Sequence, residues 1–343
     1  MTNAMDFTII VPVCHGGSFL NRALQSLQEI EYPSSSFEVV VAASAADGKS
    51  ESTVRQHVAQ TPFLISYVAC IGMNRAGWLN AACAVARGDI WVFSDDDCVF
   101  RRDWLRKIKE VVEAAPNIGL VGGIDELTAV NSSFARALDF VLNSFFGTGG
   151  LRAGRKVLRN GYYPRLWNMA LPHKVALDIA LRARHGFPQI FDESLNVCED
   201  LEIARRVRKS GEKVTFAPQV RVGHSRDTTF RSFVQRNLAM ARTSRRLGLL
   251  RLPHAALSGL ALCTLTLLAG SFFAYSARVA LLIHLGAYSA TLLAHAVMAL
   301  VHTRSLRAAV MVPCLLAGLH FARGFGYFLP DRTADGTLKI RSQ

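Results

Sequence analysis

The residues best suited to chemistry are three adjacent carboxylates, Asp95-Asp96-Asp97, which follow directly on the apolar run Ile90–Ser94. Carboxylates in a row repel one another, so a fold keeps them either around something cationic or in water as a solvated loop. A hard cation such as Mg²⁺ or Mn²⁺ takes oxygen ligands and bridges a diphosphate, offsetting the charge that builds on a phosphate leaving group. Asp95 and Asp97, spaced by one residue, are the candidate metal ligands. A second acidic pair, Glu199-Asp200, opens a helical stretch that runs to Lys209. Acids there are favoured by the exposed amides of a first helical turn, so capping is the plain structural reading of this pair.

The elements that must position these residues alternate in type. Phe7–Val13 reads as a strand, Phe19–Ile30 as a helix, Phe37–Ala42 as a strand, Ser52–Gln60 as a helix and Ile65–Ala69 as a strand. Leu79–Ala86 is a further helix, and Ile90–Ser94 is a fully apolar strand that stops at the three aspartates. Strands alternating with helices imply a mostly parallel sheet whose ligand site lies at the carboxyl ends of its strands, where the aspartates are. Later come a helix at Trp104–Ala114, a strand at Gly119–Gly122, an amphipathic aromatic stretch at Ser132–Phe146 and a Gly/Arg-rich stretch at Gly147–Lys156. The helix Glu199–Lys209 precedes a stop at Gly211 and a strand at Lys213–Ala217.

Half of the residues are hydrophobic, and the excess sits near the C-terminus. Ala255–Tyr275, Val279–Val301 and Ala308–Leu329 are each long enough to cross a bilayer, which takes about 20 residues. The formal charge of +13 is concentrated ahead of them, in Arg231, Arg236, Arg242, Arg245, Arg246 and Arg251. That placement predicts a cytoplasmic N-terminal domain on the inner membrane, as does the lack of a basic, then apolar, signal in Met1–Asp6. Three crossings, however, set Arg332, Lys339 and Arg341 against the positive-inside tendency, so one stretch is expected to be interfacial or re-entrant. No RNP-like, zinc-finger or helix-turn-helix pattern accompanies the arginines, which argues against nucleic acid as a partner. Seven scattered cysteines without a CxxC pair read as reduced thiols.

Several segments together resemble the inverting family 2 glycosyltransferases of GT-A fold. They are Phe7–Pro12 followed by a helix, Phe37–Val41 ahead of Asp47-Gly48, Arg75 and Asn80 ahead of Ala86-Arg87-Gly88-Asp89, and the aspartates of Phe93–Asp97. Gly186-Phe187-Pro188-Gln189-Ile190-Phe191-Asp192-Glu193 and then Cys198-Glu199-Asp200 resemble the family's GxFDE stretch and ED motif. The resemblance covers about residues 7–245 and implies a Rossmann-like GT-A domain acting on a nucleotide-sugar donor. It also implies that Asp95 and Asp97 hold the metal and donor diphosphate, with Asp96 near the ribose or sugar. Asp200, beside Glu199, is implied as the general base that deprotonates the acceptor hydroxyl, a role a carboxylate within hydrogen-bond reach fills well. His224 corresponds to a histidine that completes the metal site in many relatives, and Pro12, Val13, Asp47, Arg75 and Asn80 to donor-binding positions. Gln235 and Arg236 resemble a helix that closes over the donor in membrane-linked relatives.

Two departures matter. Relatives carry aspartates after the second strand, one of which recognises a uridine base, and this chain has Ala42-Ala43. The tryptophan of the processive QxxRW signature is also absent, since Gln235-Arg236-Asn237-Leu238-Ala239 does not match it. The C-terminal layout, with His320-Phe321-Ala322-Arg323-Gly324-Phe325-Gly326, is similar to that of succinoglycan-type enzymes, and Arg323 and His320 are expected to serve a headgroup or diphosphate or to snorkel at a helix end. The expected organisation is therefore a GT-A domain over residues 1–250, about three membrane helices over 251–330 and a polar tail over 331–343. The expected activity is transfer of one sugar, with inversion, to a lipid-linked or membrane-associated acceptor. A nucleotidyltransferase is the rival enzyme, disfavoured because Pro12–Phe19 has glycines without basic residues; a non-catalytic membrane scaffold is the other rival.

Overall fold

The computed structural model describes residues 5–128, 132–150, 162–184, 187–225, 228–248 and 252–329. Part of the Gly/Arg-rich stretch, with Gly186, Arg251 and the polar tail, lies outside them. In chain order the elements begin with β1 (Phe7–Pro12), α1 (Gly17–Gln28), β2 (Phe37–Ser44), α2 (Gly48–Val58), β3 (Leu64–Cys70), α3 (Arg75–Cys83), β4 (Ile90–Phe93), β5 (Cys98–Phe100), α4 (Trp104–Glu113), β6 (Ile118–Leu127), α5 (Ser133–Asn143) and α6 (Phe145–Thr148). They continue with β7 (Met169–Pro172), α7 (His173–Asp178), β8 (Leu181–Arg184), β9 (Phe187–Gln189), α8 (Glu199–Lys209), β10 (Lys213–His224), α9 (Phe230–Arg246), α10 (Leu252–Gly270), α11 (Tyr275–Thr303) and α12 (Leu306–Phe328). Two compact units result, the first within residues 1–128 and 159–225, the second within 129–158 and 226–338. By packing, then, α5, α6 and α9 group with the C-terminal helices, although they precede the hydropathy boundary at residue 250.

In the first unit a mixed, mostly parallel sheet has the order β3-β2-β1-β4-β7-β6-β10-β5. Strands β1, β2, β3 and β4 are mutually parallel, and β10 is parallel to β6. The run Phe-Thr-Ile-Ile-Val-Pro of β1 is buried throughout, as a central strand covered on both faces must be. Its side chains alternate between two cores. Ile9 and Val11 join Val39, Val41, Leu20, Leu24 and Trp104 on one face, while Ile10 joins Val40, Trp91, Phe93 and Leu79 on the other. Parallel pairing of Phe7 with Ile90 and of Ile10 with Phe93 brings the loop after β1 beside the aspartates after β4. Strand β7 departs from the alternating pattern, lying antiparallel between β4 and β6. Strand β10 runs on past Ala217 to His224, and β5 closes the edge antiparallel to it.

The opposite end of the sheet is tied by Thr8. Its hydroxyl accepts from the amides of Gly88 (2.8 Å) and Arg87 (3.1 Å) and donates to Glu38 (2.8 Å), while the Arg87 guanidinium pairs with Glu38 at 2.5 Å. Gly88 packs so closely that a Cβ there would sit 2.3 Å from the Thr8 nitrogen.

In the second unit, α5, α9, α11 and α12 share an apolar core built on Leu138, Val141, Phe233, Val312, Leu315 and Leu319. Of the described helices, α11 and α12 are long and apolar enough to cross a membrane. Three such spans were expected; of α10, the part whose side chains are described, Ala256–Gly270, is apolar as well. Arg323 and His320 neither snorkel nor face outward. Arg323 is buried and donates to Oδ1 of Asn237 at 2.9 Å, and His320 bridges the Tyr288 hydroxyl (3.0 Å) and the Phe146 carbonyl (2.8 Å).

Gly88→Ala is expected to destabilise the chain by about 1–3 kcal/mol, because backbone rather than a flexible side chain must yield. A thermal midpoint in detergent equal to that of the unaltered protein would contradict the close approach.

Candidate active site at the carboxyl edge of the sheet

The three aspartates are buried, with 8%, 0% and 5% of the surface of Asp95, Asp96 and Asp97 exposed. Each finds a different partner. Asp95 pairs through Oδ1 with the guanidinium of Arg75, the first residue of α3. Burial pushes the Asp95 carboxyl above its ordinary range, against the pull of Arg75. Asp97 faces Nε2 of His224 at 3.3 Å. Burial would raise Asp97 too, but the His224 imidazole outweighs it and holds this carboxyl below its ordinary range.

Asp96 is bound by the backbone. Its Oδ2 accepts from the amides of His15 (2.7 Å) and Gly16 (2.5 Å), and its Oδ1 from the amide of Cys14 (3.2 Å) and from the His15 ring at 3.1 Å. Successive amides can point at one carboxylate because Gly16 and Gly17 adopt φ of 65° and 53°, which other residues rarely reach. Asp96 thus fastens the β1–α1 loop to the β4 loop. Both its oxygens are engaged there. Its hydrogen bond holds the His15 imidazole protonated, with a pKa raised to about 9.

Two groups of potential ligand atoms occur among the described residues, Asp97 with Cys98 and His224, and His15 with Asp96 and Asp97, each within 4.8 Å. His15 is already hydrogen-bonded to Asp96. Burial, reinforced by Asp97 and Asp95, drives the Cys98 thiol far above its ordinary range, so it keeps its proton. Asp97 and His224 remain, and Oδ1 of Asp97 is buried. A buried carboxylate oxygen facing an imidazole nitrogen at ion-pair distance fits a divalent ion that accepts mixed oxygen and nitrogen ligands. His224 is oriented by Trp167, whose ring stacks on it at 4.4 Å and 6°.

The ED pair lies in the first turn of α8, after Cys198, which has a positive φ of 70°. Oδ1 of Asp200 accepts from the Leu201 amide at 2.8 Å, so the side chain does serve the first turn. Its Oδ2 faces Nη1 of Arg165 at 3.5 Å. Glu199 is buried, and its charge acts on Arg75, which links the ED turn to the aspartate loop.

The remaining expected donor residues divide. Nε of Arg75 is buried and donates to nothing among the described residues, as suits a group awaiting an anion. Asn80 holds the segment before the ED turn: its amide oxygen accepts from Ile190 (3.0 Å) and Phe191 (2.8 Å), and its nitrogen donates to the Phe191 carbonyl (2.9 Å) and to Glu193 (3.0 Å). Asp47 caps α2 through Ser50. Pro12 ends β1 and Val13 bonds the Ala42 carbonyl, both buried. Gln235 and Arg236 are exposed on α9 of the second unit. His15, Arg165 and Trp167 escaped the sequence reading, since each acts through residues 35 or more positions away.

A mostly parallel sheet with metal-suited carboxylates at its carboxyl edge is the architecture of a GT-A-like glycosyltransferase. Residues 2–325 match the sequence profile of glycosyl transferase family 21, and the chain belongs to that family. Mannosyltransferase PcManGT from Pyrobaculum calidifontis, solved in complex with GDP-Man and Mn²⁺, is similar in fold at a TM-score of 0.59 and 19% identity, over 94% of this chain and 86% of that one. S. aureus TarS is similar at a TM-score of 0.45 and 15% identity, over 69% of this chain and 39% of its own. An uncharacterized glycosyltransferase of Nostoc sp. is 25% identical over 121 residues, which span 35% of this chain and 37% of that relative.

Asp96→Asn removes a charge and one of two engaged acceptors from a fully buried clamp. It is expected to lower stability by about 1–3 kcal/mol, more than Asp97→Asn, and the two thermal midpoints measured side by side check the order.

Proposed function

We propose that this chain transfers one sugar, with inversion, from a nucleotide-diphosphate sugar to a lipid-linked or membrane-associated acceptor, as succinoglycan-type family 2 enzymes do. The observation that carries the reading is the buried Asp97–His224 pair at 3.3 Å together with the buried Nε–H of Arg75, which donates to nothing among the described residues. Asp97 and His224 would hold a divalent ion, Mn²⁺ suiting the imidazole better than Mg²⁺, with Asp95 adjoining. When bound, that ion offsets the charge that develops on the departing diphosphate. Arg75 offers the same phosphates a fixed cation. The neighbour of like fold holds GDP-Man and Mn²⁺, which supports a donor of this class.

In the transfer itself, the acceptor hydroxyl attacks the anomeric carbon as the bond from that carbon to the diphosphate oxygen breaks. The hydroxyl proton passes to Asp200, and the nucleoside diphosphate leaves. Asp200 retains the capacity for this role, because its Oδ2 faces Arg165 at ion-pair distance only.

A membrane location is supported by α11, which has 6% of its apolar window buried and leaves Leu282, Ile283, Leu293 and Val301 largely exposed. Such a surface is unfavourable in water and suits lipid. A cytoplasmic catalytic domain is supported by the arginines that precede the apolar helices, Arg231, Arg236, Arg242, Arg245 and Arg246.

Two measurements test this. Asp97→Ala should abolish Mn²⁺-dependent binding of nucleotide sugar in calorimetry with GDP-mannose and UDP-glucose; undiminished binding would remove the metal assignment. Asp200→Asn should lower turnover by about 10²–10⁴-fold with donor affinity near that of the unaltered chain. Normal turnover by that variant would leave Asp200 with only its helix-end role.

A further inference from the structure

Arg165 is the cation that faces the carboxylate on which the proposed proton transfer depends. Its Nη1 lies 3.5 Å from Oδ2 of Asp200, with 13% and 12% of the two side chains exposed. The same nitrogen donates to the Tyr163 hydroxyl at 2.8 Å, and the guanidinium lies over the Tyr163 ring, 4.5 Å from its centre. The segment is anchored in turn to α8, where Arg208 donates to the Tyr162 carbonyl. Asp125 of β6 and the Tyr162 hydroxyl are the other titratable groups around this pair, with Glu199 next to Asp200 on α8. Burial works against the charge on Arg165, and Tyr163, Asp200 and Asp125 more than restore it.

A carboxylate that takes a proton during bond formation must be ionised and correctly aimed. A guanidinium locked by an aromatic face and a phenol secures the aim, since it cannot swing away as a lysine would. The distance of 3.5 Å also matters: it is an ion pair without a hydrogen bond, so the Oδ2 lone pairs stay open to a hydroxyl while Oδ1 is held by Leu201.

We propose that Arg165 is a positioning residue for sugar transfer, clamped by Tyr163 so that it orients Asp200 as the base. Arg165 gains and loses no proton; the hydroxyl proton goes to Asp200. The inference rests on the reading of Asp200 as the base.

The full chain in detergent with Mn²⁺ would be assayed for nucleoside diphosphate release from UDP-glucose and GDP-mannose. Arg165→Gln is expected to lower kcat by about tenfold or more and leave the donor KM within about twofold. Arg165→Lys, which keeps the charge without the planar stack, should recover part of kcat. Tyr163→Leu should fall in the same direction as Arg165→Gln with a smaller loss, and it carries the test if Arg165→Gln fails to fold. A folded Arg165→Gln variant with unaltered kcat would overturn the proposal, as would a change in donor KM alone. Asp200→Asn run in parallel separates the two ideas: normal turnover there sinks the base assignment itself, whereas an inactive Asp200→Asn beside an unaltered Arg165→Gln sinks only the role of Arg165.

Discussion

Three neighbouring carboxylates cannot be buried together unless each has its own source of positive potential, and the carboxyl edge of the sheet is arranged around that electrostatic demand. Arg75 on α3 serves Asp95, the amides of Cys14, His15 and Gly16 serve Asp96, and His224 at the end of β10 serves Asp97. Each partner comes from a different part of the chain. Neutralising the three charges therefore also fixes the β1–α1 loop, the start of α3 and the end of β10 relative to β4.

The three solutions are not equivalent, and their difference assigns work. Backbone amides are fixed dipoles that cannot be displaced without unravelling the start of α1, so Asp96 is a structural bolt. A guanidinium and an imidazole can each take a second partner. Arg75 still has a buried N–H that donates to nothing among the described residues, and Asp97 meets His224 at ion-pair distance only. The same logic extends to α8, where the Leu201 amide holds one oxygen of Asp200 and Arg165 faces the other without binding it.

Much of this was legible in the sequence where the relevant physics is local. Alternating strands and helices from Phe7 to Phe93 follow from short-range hydrophobic periodicity, and the aspartates could be placed at a sheet edge because β4 is apolar throughout. Strand β7 was not legible: Met-Ala-Leu-Pro has no pattern of its own and becomes a strand only because β4 and β6 offer it antiparallel partners. The role of Asp96 was equally hidden, since backbone amides leave no mark on the residue types that carry them. Asn80 was noticed as a donor residue, yet its four bonds to Ile190, Phe191 and Glu193 join positions 110 or more apart that only the fold brings together. Arg165 belongs with it, being informative only once Asp200 is seen opposite.

Hydropathy measures how apolar a helix is and not what covers it, and the second unit shows the consequence. Helices α11 and α12 have the same mean hydropathy of 1.5, yet 6% of one window is buried and 56% of the other. The covered helix turns its polar residues inward: Arg323 bonds Asn237 and His320 bonds Tyr288 and the Phe146 carbonyl, all within the unit. Small residues permit that closeness, since a Cβ at Gly324 would lie 2.6 Å from the Leu257 carbonyl and one at Gly326 2.8 Å from that of Leu238. Leu282, Ile283, Leu293, Val297 and Val301 of α11 are exposed. In lipid, where an unsatisfied polar group costs several kcal/mol, bonding Arg323 and His320 within the unit avoids that cost on a helix whose hydropathy alone does not reveal it.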